Sequence, residues 1–225
     1  MKKLFRKCLV LTFTLCLLLC SSVSVQAATE KSNGTNMARV LKYYKKGQYS
    51  KALMSNRKLS KTSKEACVKK MSSKMKKAYR KIVKRWPVSH DIFSDDSYLW
   101  GYYLTDIDND KKAELLVKVG TCEADVKVLI YKYKNGKASR IGSFYAGHTT
   151  LCAYPNHKGI ILYWGHMGCE SLSLVTVKNK KVTQTSYGSR DLNKRGTWLS
   201  LRCSLDSHVS YDSNYNRILD LSDLQ

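Results

Sequence analysis

The chain has 225 residues, with 40 Lys and Arg against 17 Asp and Glu and a net charge of +23. It carries no C-x-x-C pair, no G-x-S-x-G, no H-E-x-x-H and no phosphate-cradling glycine loop. Zinc ribbons, thioredoxin-type redox sites, nucleophile-elbow hydrolases, zincins and P-loop enzymes are therefore excluded as expectations.

Residues 1–28 read as an export signal. Lys2, Lys3, Arg6 and Lys7 form the charged start, and Cys8 to Cys20 is an apolar run of 13 residues. That run is shorter than the roughly 20 residues of a spanning helix. Val25-Gln26-Ala27 is an A-x-A-like cleavage site. The alternative, acylation of Cys20, meets Leu19 where a small residue belongs. No later stretch is apolar for long enough to span, so the expectation is a secreted, extracellular chain, cell-envelope associated at most. Of the five cysteines beyond the signal, Cys122–Cys152 and Cys169–Cys203 are the expected bridges and Cys67 the leftover, with five buried thiols as the alternative.

Charge divides the remainder. Thr29 to Trp86 holds 19 Lys and Arg against Glu30 and Glu65, whereas Pro87 to Gln225 holds 17 basic and 15 acidic residues. Residues 29–90 thus form a basic helical arm ahead of a near-neutral domain, and such asymmetry points to a polyanion contact. Thr29–Asn36 is polar and expected to fray. Met37, Val40, Leu41 and Tyr44, then Tyr49, Ala52 and Leu53 beyond Gly47, predict a helical hairpin. Thr62 and Glu65 form a capping box, and Val68, Met71, Met75, Ala78, Ile82 and Trp86 continue one amphipathic helix to Pro87. Its lysines and arginines predict a solvated basic face over a packed apolar stripe.

From residue 91 to 225 the period changes to two. Tyr98–Thr105 and Leu115–Val119 are predicted strands. Asn135-Gly136, Pro155–Lys158 and Asn179-Lys180 are turns between further strand pairs. Gly196–Ser204 and Ile218–Leu221 read as later strands. The fold class is α+β: an N-terminal helical segment followed by an antiparallel β meander, either a sandwich or a partial propeller-like curl.

One stretch carries chemistry. Asp106-Ile-Asp108-Asn-Asp110-Lys-Lys112-Ala-Glu114 reads D-x-D-x-D-x-x-x-E. Asp106, Asp108, Asp110 and Glu114 offer carboxylates and Lys112 its carbonyl to a hard cation such as calcium. The loop departs from a helix–loop–helix calcium site, because its twelfth position is Val117 and its flanks are strands. It resembles the calcium loop of FG-GAP and VCBS-type β repeats, which implies a loop between adjacent strands with Leu115 turned into the core. Lys111 stands where that resemblance has glycine. Asn156–Gly159 reads as a decayed second copy. Tyr98 to Val182 also resembles a family of uncharacterised exported proteins of Gram-positive gut anaerobes, through this loop, Gly120-Thr-Cys-Glu-Ala-Asp125, Gly147-His148-Thr149 and Gly165-His166-Met-Gly168. That resemblance implies a common fold.

Glu123, Asp125, His148 and His166 make the one second constellation, two imidazoles and two carboxylates suited to a transition metal or to acid–base work. The ordinary alternative is that they cap turns. The combined expectation is a non-enzymatic, calcium-stabilised binding module. Its basic face meets an anionic envelope polymer or membrane surface, or nucleic acid without sequence preference. The alternative is an envelope-polymer or peptide hydrolase built on the four-residue cluster.

Overall fold

The computed structural model describes residues 25–60, 66–88, 97–193, 196–205, 207–211 and 217–225. The signal up to residue 24, with Cys20, and the Thr62/Glu65 capping box lie outside them, as does the boundary at residue 90. Helix α1 covers 25–45, followed by α2 (Tyr49–Arg57), α3 (Ala66–Lys69) and α4 (Ser73–Val83). Eight strands form two antiparallel four-stranded meanders. The first is β1 (Tyr98–Thr105), β2 (Glu114–Gly120), β3 (Lys127–Lys134) and β4 (Lys137–Tyr145). The second is β5 (Thr149–Cys152), β6 (Ile160–His166), β7 (Cys169–Lys178) and β8 (Lys181–Asp191). A short pair, β9 (Val209–Tyr211) and β10 (Arg217–Leu219), closes the chain. The protein is α+β, with two open antiparallel sheets and no closed barrel.

Period-two patterning makes four layers of these elements. On β2, Leu115, Val117 and Val119 face Met75, Tyr79, Ile82 and Val83 of α4. The intervening Leu116 joins Val128 and Ile130 against Leu151, Ile160, Leu162 and Val175 of the second sheet. On that sheet's outer face, Ile161 and Leu172 meet Met37, Val40, Leu41 and Tyr44 of α1. The order is helices, sheet, sheet, helices. Each fully buried Leu, Ile or Val in these layers contributes about 1.5–3 kcal/mol.

Three expectations are corrected. The helix predicted from Thr62 to Trp86 is broken at residues 70–72. Ser72 turns out of helical geometry (φ −71°, ψ 153°) and its hydroxyl accepts from the Met75 amide at 3.3 Å, so α4 starts with its own cap. Thr29–Asn36 is not frayed but belongs to α1. Asn33 is wholly buried there, with its amide bonded to Ser60 on both sides at 3.1 Å. Gly34 lies so close to the Pro155 carbonyl that no Cβ fits. Polar composition suggested solvent, but Asn33 and Asn36 bond the carbonyls of Ser60 and Lys58 beyond α2. Among the described residues, 196–204 forms no strand, only one bridge, Cys152 to Ser204.

The turns follow their chemistry. Asn135 (φ 52°) and Gly136 (φ 77°) make the expected two-residue hairpin. Asn179 and Lys180 make the equivalent one without glycine (φ 50° and 61°).

Candidate functional site

The acidic loop joins β1 to β2, between strands as its sequence implied. Asp106 folds it: its carboxylate accepts from the amides of Asp110 (3.0 Å) and Lys111 (2.8 Å). Asp110 accepts from the Lys112 amide (2.9 Å). Glu114 accepts from the Ile107 amide (3.0 Å) across the neck of the loop. These bonds hold Asn109 at φ 59° and Lys111 at φ 69°, so the lysine occupies the left-handed position that glycine favours. Its ammonium swings outward to Asn109 Oδ1 at 2.9 Å.

The cation inside the loop belongs to the protein. Lys132 Nζ lies 2.5 Å from Asp108 Oδ2, 2.7 Å from Asp110 Oδ2 and 3.0 Å from Glu114 Oε1. The register that pairs Leu115 with Tyr131 continues to set Glu114 across from Lys132. This is a cross-strand ion pair on the face that Leu116, Val128 and Ile130 pack against the second sheet. Sequence reading missed Lys132. The available signal was a lysine flanked by Tyr131 and Tyr133 in a strand, opposite an acid in the pairing register. Burial pushes the Glu114 carboxyl up to about 8, with the Asp108 charge adding to it and Lys132 opposing it. Burial would lower the Lys132 ammonium, but its bonds to Asp108, Asp110 and Glu114 hold it above its ordinary range. Burial raises Asp106, whereas Lys132 keeps Asp110 low in spite of partial burial.

The donor set fits a hard cation. Asp106, Asp108 and Glu114 each present a carboxylate oxygen, all within 4.8 Å of one another, and could hold a metal ion. Asp108 Oδ1 is buried with no hydrogen-bond partner among the described residues, an acceptor left over by the lysine. Asp110 and Lys112 lie at the rim, where Asp110 meets the ammonium and the Lys112 amide. A metal would share its place with Lys132 Nζ and would have to displace it.

The loop is pinned to α4. Tyr79, wholly buried, donates to the Ala113 carbonyl (2.9 Å) and accepts from the Tyr133 amide (3.0 Å). The helix that carries the basic face therefore also holds the strand after the acidic turn and the strand bearing Lys132.

The second constellation converges in part. The rings of His148 and His166 stack with centroids 4.0 Å apart and planes within 11°. His148 Nδ1 lies 3.5 Å from Glu123 Oε2. His148 reaches this position through a left-handed backbone (φ 49°) at the β4–β5 turn, and His166 stands at the end of β6. Asp125 is occupied elsewhere: its carboxylate accepts from the Thr121 hydroxyl (2.7 Å) and amide (3.2 Å) and from the Cys122 amide (3.1 Å). Those bonds, the Thr121 hydroxyl first, hold it below the usual carboxylate range. The near-parallel imidazole planes keep the in-plane lone pairs of the two rings from meeting at one point, so no chelate is preformed.

No disulfide joins Cys122, Cys152, Cys169 or Cys203. Cys122 is exposed in the β2–β3 loop, whereas Cys152 lies within the outer core of the second sheet, so the expected pair is separated. Cys152 and Cys203 share that core, where burial pushes both thiols up, Cys203 to about 12.

A third feature is the solvent face of α4. Lys74, Lys77 and Lys81, with Arg85 just past the helix end, are exposed and form no ion pair among the described residues. No described helix is long and apolar enough to cross a membrane. No family model, curated protein or solved structure matches this chain.

Proposed function

We propose that the protein is a non-enzymatic, exported binding module whose basic face engages anionic polymers of the cell envelope, with the acidic loop as a structural staple. The observation that carries this reading is the row of α4 cations that form no ion pair among the described residues, set on a helix whose apolar stripe is used in the core. A row without counter-ions raises self-repulsion and is relieved by a polyanion. Residues 1–28, with the charge pattern of an export signal, support the compartment. The calcium reading of Asp106, Asp108 and Glu114 rests on oxygen-only donors and on the likeness to FG-GAP and VCBS-type loops. Calcium would add rigidity between β1 and β2.

Two measurements test this. Binding to a soluble polyanion weakens steeply between 50 and 200 mM salt, on the order of tenfold or more. A flat response rejects the reading. Millimolar calcium raises the melting temperature of the wild type, and Asp108→Ala abolishes the rise. The absence of any calcium-dependent shift removes calcium from the account.

A second reading, a hydrolase, is favoured by one observation: the Glu123–His148–His166 contact at the mouths of three turns. Loss of a measurable cleavage activity on envelope preparations in His148→Ala would support it. Binding without turnover would not.

A further inference from the structure

The basic face of α4 is one wall of a groove, and the groove narrows the choice of polyanion. Lys74, Lys77, Lys81 and Arg85 stand at steps of three and four residues along one side of the helix. Successive Cβ atoms of the row are about 5–6 Å apart, and the row is about 16 Å long. The opposite wall is the β3–β4 hairpin, which contributes Lys137 beside its Gly136 turn. Between them lies an open cavity of about 670 Å³ with Ile82 and Tyr133 on its floor. None of the five cations forms an ion pair or hydrogen bond among the described residues.

We infer that this groove binds an extended, linear phosphodiester polymer that lacks bases, such as a poly(glycerol phosphate) strand. This inference rests on the polyanion reading above and specifies its site and ligand. Three observations carry it. A concave, two-walled site admits a strand between α4 and Lys137, whereas a flat membrane surface reaches only the rim. A regular row of point charges meets a regular row of phosphates. Ammonium groups dominate the row, and they read charge rather than planar carboxylate pairs, which favour a guanidinium fork. Single-stranded nucleic acid also presents phosphodiesters, but proteins that hold it add aromatic platforms for the bases. Among the described residues, Tyr133 is the one aromatic lining this groove, and Tyr79 holds its backbone amide in place.

The test is a titration of the full chain with deacylated poly(glycerol phosphate) across a salt series. The wild type is compared with Lys77→Gln/Lys81→Gln and with Lys42→Gln/Lys46→Gln on the opposite helical coat. Glutamine keeps helix propensity, and a thermal melt confirms the fold of each variant. The groove variant is expected to bind about tenfold more weakly, with a salt slope shallower by about 1.4. The control variant is expected to bind as the wild type. Equal losses in both variants, or a loss only in the control, overturn the groove while polyanion binding stands. Oligo-dT binding as tightly as poly(glycerol phosphate) overturns the choice of polymer. Phosphatidylglycerol vesicles that bind and are not displaced by the polymer overturn the strand in favour of a surface. No binding by any of these probes removes the polyanion reading as well.

Discussion

The two meanders share one topology and differ in how each keeps a buried carboxylate. In the first, Glu114 opens β2, wholly buried, and is matched by Lys132 on β3. In the second, Glu170 on β7 is equally buried and is matched by Arg190 on β8 at 2.6 Å. The Tyr163 hydroxyl (2.7 Å) and the Leu199 amide (2.9 Å) complete the Glu170 shell. Arg190 also lies over the Tyr49 ring, 4.7 Å from its centroid, and the Glu170 carbonyl accepts from Tyr44. The second carboxylate is therefore held by one guanidinium nitrogen, a hydroxyl and an amide, beneath the α1–α2 coat. The first shares a single ammonium with two further acids, and Asp108 Oδ1 has no hydrogen-bond partner among the described residues. The connections differ in parallel. The β1–β2 loop gathers four acids, while Asn156–Gly159 at the equivalent β5–β6 position has none and instead ties to the first loop through the Gly159 amide and Ile107 carbonyl (2.7 Å). One sheet carries a sealed charge pair, and the other an exchangeable one.

That contrast can be broken by experiment. Arg190→Met leaves the buried Glu170 without its counter-charge and should cost about 3–5 kcal/mol in denaturant unfolding, independent of calcium. A smaller loss would mean the hydroxyl and amide bonds suffice. Lys132→Met should cost less, about 2 kcal/mol in calcium-free buffer, because Asp108 and Asp110 remain partly solvated. Calcium should restore more stability to this variant than to the wild type, since Nζ no longer competes. Equal calcium responses would dismiss the competition.

The acid–base sign of the first site follows from Glu114. Its folded-state affinity for protons exceeds that of the unfolded chain, so between about 4.5 and 8 the native state binds more protons. This group therefore contributes stability at the acid end of that window and loses it as pH rises through about 8. The difference in melting temperature between wild type and Glu114→Gln should shift against the wild type across this range. A pH-independent difference would place the carboxylate permanently in its charged form. The smallest effect is expected at the surface of the loop. Lys111→Gly relieves the left-handed backbone and should stabilise the protein by about 0.5–1 kcal/mol.

The acidic loop was legible because its chemistry is local: Asp106 and Asp110 fold their own turn through backbone amides. Its strand flanks and the left-handed strain at Lys111 were equally readable. Lys132 was not, since it lies 18 residues beyond Glu114 and only strand register brings them together. The histidine turns show the same limit. Their glycines marked turns, but the stack of His148 on His166 and its contact with Glu123 depend on three separate connections meeting at one rim. The capped break at Ser72 was outweighed in sequence by an apolar stripe that continues across it.

Period-two patterning, the Asn-Gly turn and the charge gradient by themselves determined an α+β chain with basic helices ahead of antiparallel strands, because each is a short-range property of the backbone. Tertiary structure alone decided that the helices divide over two outer faces, that a lysine fills the acidic loop, and that the cations of α4 face Lys137 across a groove. Those outcomes follow from which faces bury each other, and that choice minimises exposed apolar area over the whole chain rather than within any one segment.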